Sequence, residues 1–129
     1  KEGLIETNLC VISDTHLGTK EQQLTLINEV YKEAYKRGID TVLHVGDLTD
    51  GCYPNRSNHQ YELRAHGADE QLDYVVNKYP NDRFYCIDAL TYAGNYNNIK
   101  SLEEKNNFHF LYEDITDKVF IDSLFKEIQ

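Results

Sequence analysis

Asp14 and His16 stand two residues apart just past the apolar run Leu9-Cys10-Val11-Ile12, and Gly46-Asp47 follows the run Thr41-Val42-Leu43-His44-Val45. Two carboxylates and an imidazole can share a cation. In an extended turn, residues two apart can face the same ion, and the two oxygens of Asp47 could reach two ions. Gly46 would let the backbone pass close to a metal. Mixed oxygen and nitrogen donors suit Mn, Fe or Zn better than Ca. The same residues could instead be helix N-caps or turn formers, with His16 incidental. An isolated D-x-H says little, but D-x-H after one strand with G-D after the next is far more specific. A second chemical feature is Asp88, which ends the run Phe84-Tyr85-Cys86-Ile87. An acidic residue there can accept hydrogen bonds from a ribose diol, or simply close a strand.

Bringing Asp14, His16 and Asp47 to one point requires two adjacent parallel strands, because ligands of open parallel sheets bind beyond the strands' carboxyl ends. Four apolar runs qualify as strands: the three above and Phe108-His109-Phe110-Leu111-Tyr112. Helical stripes separate them. Leu24, Ile27, Tyr31 and Ala34 share one face, as do Ala68, Leu72, Val75 and Tyr79, and then Phe120, Ile121, Leu124, Phe125 and Ile128. Thr19 with Gln22 could form a capping box before the first helix, and Gly38 could stop it. Pro80 ends the second, Thr116 or Asp117 caps the third, and Ile99 with Leu102 supports only a short helix. Apolar strands alternating with helices predict one α/β domain, a three-layer, doubly wound parallel sheet of about four strands ending near Ser13, Gly46, Asp88 and Asp114. The polar, Asn-rich stretch Gly51–Arg64 has no clear period and reads as a functional loop.

The chain of 129 residues suits one domain, and 40% hydrophobic with 27% charged residues is the balance of a soluble globular protein. A formal net charge of −9 argues against nonspecific binding to nucleic acid, which needs a basic surface. It permits a phosphate-containing small molecule, since bound cations would invert the local field. No run approaches membrane-spanning length and nothing suggests secretion, so no membrane partner is expected. The odd count of cysteines, Cys10, Cys52 and Cys86, fits free thiols in a reducing cytoplasm. Methionine is absent, including at position 1, which hints at an excised or engineered chain.

V-I-S-D-T-H-L-G and H-V-G-D-L-T-D-G resemble the first two motifs of the calcineurin-like metallophosphoesterases. Arg56, Gln60-Tyr61-Glu62, Gly67, Asp69-Glu70-Gln71, Tyr74 and Tyr79-Pro80 look like a bacterial or phage branch of that family. The resemblance implies that Asp14 and His16 hold a first metal, with Asp47 bridging to a second. The two ions would clamp a phosphoester and activate hydroxide. The third family motif, G-N-H-D or G-N-H-E, is expected directly after the third strand. Gly94-Asn95-Tyr96-Asn97 is a late echo without the histidine, and the family's later G-H-x-H is absent. Of the other histidines, His44 and His109 are expected to be packed, His59 and His66 solvated.

Asp88-Ala89-Leu90-Thr91-Tyr92-Ala93-Gly94-Asn95, followed by Asn98, Leu102 and Asp114-Ile115-Thr116-Asp117, resembles the second and third strands of dTDP-glucose 4,6-dehydratase, an NAD-binding, Rossmann-type lyase. That resemblance would place Asp88, Leu90 and Thr91 at the adenosine ribose, and Asp114 and Ile115 near the adenine, as vestiges. NAD itself is not expected to bind, because Asp14–Gly18 occupies the place of the pyrophosphate-cradling Gly-rich turn.

The two resemblances point to a recombined or designed chimera, a metallophosphoesterase-like half over 1–80 and a dehydratase-like half over 81–129, joined between Val75 and Arg83. The expected function is that of an α/β domain keeping half a metal site and lacking full enzymatic activity. Alternatives are a divalent-metal-dependent phosphoester hydrolase and a nucleotide-binding module.

Overall fold

The computed structural model describes residues 7–53, 55–92 and 94–128. Pro54 of the polar loop and Ala93 of the dehydratase-like stretch lie outside them. The elements run β1 (Cys10–Ile12), α1 (Leu24–Lys36), β2 (Val42–His44), α2 (Ala68–Lys78), β3 (Phe84–Ile87), β4 (Phe108–Leu111) and α3 (Lys118–Ile128), with 3₁₀ turns at His59–Tyr61, Tyr96–Asn98 and Lys100–Leu102. This is an α/β chain with parallel strands, as the alternation of apolar runs and helical stripes predicts.

The pairing is finer-grained than one four-stranded sheet. β1 pairs with β2 in parallel, Cys10 opposite Val42 and Ile12 opposite His44. β3 pairs with β4 in parallel, Phe84 opposite Phe108 and Ile87 opposite Leu111. Among the described residues these are two separate two-stranded sheets. Strands of three or four residues form few ladder bonds, so each pair depends on what packs against it. The chain divides into two compact units, Lys1–Gln71 and Leu72–Gln129, the division falling within α2.

In the first unit the buried residues are a mixture: Leu17, Ile27, Ala34, Leu63 and Ala65, but also Thr19, His59 and Gln71. α1 stops as expected. Gly38 has φ +75°, and the N–H groups of Gly38 and Ile39 donate to Tyr35 O and Ala34 O, the paired bonds of a Schellman cap. Its start differs from the expected capping box. The helix begins at Leu24, Thr19 Oγ1 donates to His16 O, and Gln22 Oε1 accepts from Gly18 N. Local bonds within residues 16–22 have claimed both side chains before the helix begins.

The second unit has a conventional apolar core of Val76, Ile99, Leu102 and Phe108, with Leu72, Phe84, Cys86 and Phe110 packed on it. Burial raises the Cys86 thiol above its ordinary pKa, with the Asp88 charge acting in the same direction. Asp117 caps α3, its Oδ1 accepting from Val119 N and Phe120 N. Gly94 is required by crowding, since a Cβ there would collide with Leu90 Cα. No helix of the described residues is long and apolar enough to cross a membrane.

Candidate metal centre

Beyond β1 and β2 the two chains stay side by side. Val45 N donates to Ile12 O, Asp14 N to Gly46 O, His16 N to Asp47 O and Leu17 N to Leu48 O, and Leu17 bridges to Thr49 in parallel. The two turns carrying the candidate ligands are therefore stitched by backbone bonds rather than left as independent loops. Asp14, His16 and Asp47 all have left-handed φ values, of 54°, 43° and 49°. Non-glycine residues adopt this region rarely, Asp and His more readily than most, and it persists where surrounding bonds impose it. The double stitch is what imposes it here.

The result is convergence. One ligand atom from each of Asp14, His16 and Asp47 lies within 4.8 Å of the others. Both carboxylates are exposed and His16 is half-buried. A carboxylate pair plus imidazole suits a borderline divalent cation. His16 supplies a further sign of fit. Its Nδ1 is buried and makes no hydrogen bond, although it stands 2.8 Å from Asp50 Oδ1. That separation is an ion-pair distance with poor hydrogen-bond direction. The protein itself thus leaves a ring nitrogen unsatisfied, which an ion that fixes the ring orientation would relieve.

The surroundings are polar and specific. Thr15 Oγ1 donates to Leu48 O at 3.2 Å and lies 2.9 Å from His44 Nε2. Burial lowers the His44 pKa, with the charges of Asp14 and Asp47 acting the other way. Asp50 faces two histidines, its Oδ1 toward His16 and its Oδ2 hydrogen-bonded to His59 Nε2. Burial acts to raise the Asp50 carboxyl, but the hydrogen bond from His59 and the charges of His59 and His16 prevail and hold it below the usual carboxylate range. A cavity of about 700 Å³ opens beside the triad, with Asp14, His16 and Asp50 at its polar end and Leu26, Ile27 and Tyr31 of α1 along its wall.

Sequence reasoning missed Asp50 and misplaced His59. His59 was expected to be solvated, yet its side chain is 3% exposed. The reason is Asp50, which gives a buried imidazole a charged partner. The D-L-T-D spacing from Asp47 to Asp50 was the available signal for the carboxylate. His66 is exposed as expected. His109, expected to be packed, is an exposed strand residue stacked on Tyr85 at 5.1 Å between ring centroids. The polar loop is anchored by the buried Gln71, whose amide donates to Gly51 O and Ala65 O and accepts from Gly51 N.

The residues expected near a nucleotide are disposed differently. Asp88 Oδ1 accepts from Leu90 N at 2.7 Å, and Asp114 Oδ1 accepts from both Thr116 N and Thr116 Oγ1 at 2.8 Å. Both carboxylates fold back on their own chain. Leu90 takes a left-handed φ of 47° over Asp88, Thr91 is exposed, and Ile115 is 71% exposed.

A protein-family model described as calcineurin-like phosphoesterase matches residues 7–127. That match runs through both halves and across the junction expected between Val75 and Arg83. The chain is also 44% identical over 46 residues to the uncharacterized protein PB2B2.11 of Schizosaccharomyces pombe, a match covering 34% of this chain and 13% of that protein. The chain therefore matches well under two thirds of that relative's length. No solved structure matches.

Proposed function

The chain belongs to the calcineurin-like phosphoesterase family, and on that premise we propose that it binds a divalent cation through Asp14, His16 and Asp47 and acts, weakly, on phosphoesters. The observation that carries the reading is the convergence of these three donors on backbone turns locked together by hydrogen bonds.

Mn, Fe or Zn suits the donor set, and when bound such an ion supplies Lewis acidity toward a phosphoryl oxygen and toward water. The protein's own contribution is positional. The stitched turns hold two carboxylates close together against their mutual repulsion, a geometry that a cation favours and that a bare phosphoester would find repulsive. Asp47, with two oxygens, can serve one ion or bridge two. The adjacent cavity is large enough for a small phosphoester, whose organic part would lie along Leu26, Ile27 and Tyr31 while its phosphate faced His16. Weak turnover follows from the sequence, since Gly94-Asn95-Tyr96-Asn97 offers no histidine where the third family motif would supply one. We read the setting as the reducing cytoplasm, in keeping with three free cysteines.

The test is metal uptake. Wild-type protein should take up Mn or Zn stoichiometrically by calorimetry and elemental analysis, and Asp47→Asn should abolish it. Unchanged uptake in that variant would show the triad is not the site. Rapid hydrolysis of a chromogenic phosphodiester would overturn the expectation of weak catalysis.

A second reading joins a phosphoesterase fragment to a dehydratase-like one within one α/β domain, but the division into two units falls after Gln71, short of the junction expected between Val75 and Arg83. The family match over residues 7–127 weighs against it. On this reading Asp88, Leu90, Thr91, Asp114 and Ile115 are remnants of a nucleotide site. Saturable binding of NAD lost on Asp88→Ala would instead make them a working one.

A further inference from the structure

The polar loop after β2 carries a buried imidazole on its 3₁₀ turn, His59–Tyr61. His59 Nε2 is hydrogen-bonded to Asp50 Oδ2, and the other oxygen of Asp50 stands 2.8 Å from His16 Nδ1. Tyr53 packs edge-on to the His59 ring at 5.1 Å, and the Arg56 guanidinium lies 5.6 Å above the Tyr53 ring. One carboxylate is therefore gripped from both sides by imidazoles, one a candidate ligand and the other outside the triad.

We propose that His59 is a positioning residue for the metal centre: it fixes the Asp50 carboxylate, which orients His16 by accepting from Nδ1 and so presents Nε2 to the cation. This rests on the reading of Asp14, His16 and Asp47 as ligands. The physical case has three parts. A histidine that binds metal through one nitrogen needs a partner for the other, and a carboxylate is a common one. Asp50 is the carboxylate within reach of that nitrogen, short only in direction, so a small rotation of the His16 ring completes the bond. Asp50 alone would have several rotamers. His59, 3% exposed and packed against Tyr53, removes that freedom by holding Oδ2. Tyr53 and His59 thereby act on the cation site from outside the triad.

His59→Leu removes the donor and keeps an apolar body of similar reach. His59→Gln keeps an N–H donor. Zn affinity, measured by competition with a chromogenic chelator, should fall about 10- to 100-fold in His59→Leu, the usual cost of losing such a partner, and recover to within about threefold in His59→Gln. Asp50→Asn should lose as much as His59→Leu, and combining the two should cost little more, because they act in series. Equal affinity of folded His59→Leu and wild type, or additive losses in the double variant, would overturn the proposal. Nitrogen-15 NMR of the metal-free protein supplies a readout independent of cation binding. Neutral His16 should be held as the Nδ1–H tautomer in wild type and become mixed in His59→Leu. If His59→Leu fails to fold, His59→Gln and Asp50→Asn carry the same tautomer test. A wild-type protein that binds no Zn would sink the metal reading, whereas an Nε2–H tautomer in wild type would sink the positioning role alone.

Discussion

Both units place carboxylates beyond a short parallel pair, yet only the first turns them toward a common point. Asp14 and Asp47 hold their oxygens near each other and near His16, on left-handed backbone locked by four hydrogen bonds between residues 12–17 and 45–48. Asp88 and Asp114 instead spend theirs on the N–H groups two residues ahead. The interiors differ as well. The second unit buries Val76, Ile99, Leu102 and Phe108 together, whereas the first buries Thr19, His59 and Gln71 among its apolar residues. Strand-end acids are therefore not equivalent by position. What distinguishes a site from a turn is whether neighbouring chain keeps the carboxylate from satisfying itself locally.

The sharpest way to break that contrast is to damage each unit by its own logic. Leu102 is fully buried in the apolar core, so Leu102→Ala should destabilise by about 2–5 kcal/mol in denaturant unfolding, with Zn affinity under native conditions unchanged. Asp47→Asn should do the reverse, removing cation binding and barely moving the unfolding midpoint, because its carboxylate is exposed. If Leu102→Ala abolished Zn binding in folded protein, the division of labour between an apolar and a polar unit would be wrong.

Gln71 tests the polar side. It is fully buried and makes three bonds to the backbone of Gly51 and Ala65. Gln71→Leu keeps much of the volume and strands those groups, which should cost about 1–3 kcal/mol. It should also loosen the polar loop, seen as faster amide exchange at Gly51 and Arg64. A neutral result would mean that apolar packing of Leu17 and Leu63 suffices to hold the loop.

The strand runs, the helix stops and the triad were legible in sequence because each depends on residue type at short range. Gly38 ends α1, Asp117 caps α3, and D-x-H with G-D marks two strand ends. What escaped depends on contacts distant in sequence. Asp50 and His59 meet across a loop with no period, so a polar residue in a polar stretch gave no hint of burial. Thr19 and Gln22 looked like a capping box, but residues 18–20 are held by Glu62 and Arg64, in bonds no local pattern announces. The split into two sheets was hidden for the same reason, since all four strands carry similar apolar runs.

A smaller effect should separate Asp88 from a working ribose ligand. NAD at millimolar concentration should give no saturable heat, with or without divalent metal. Asp88→Ala should leave that unchanged while costing about 0.5–1.5 kcal/mol of stability through the lost bond to Leu90 N. Saturable binding that vanished in the variant would reverse the contrast between the units.

The smallest expected effect is at Asp114, and it bears on the contrast most directly. Its carboxylate accepts from Thr116 N and Thr116 Oγ1, and these two bonds, the backbone one first, hold its pKa below the ordinary aspartate value. A depressed folded pKa means that the folded chain favours the ionised form more than the unfolded chain does. The stabilisation is then complete above the unfolded pKa of about 4 and disappears as pH falls through the folded value. The group is fully exposed, so the effect on unfolding will be slight and the direct readout is better. Carbon-13 NMR of the Asp114 carboxyl should give a midpoint below the usual aspartate range. Thr116→Val, which removes the hydroxyl and keeps the N–H, should move it only part of the way back. An ordinary midpoint in the wild-type protein would mean that Asp114 is not committed to its own turn and stands as available to a ligand as Asp14 and Asp47 do.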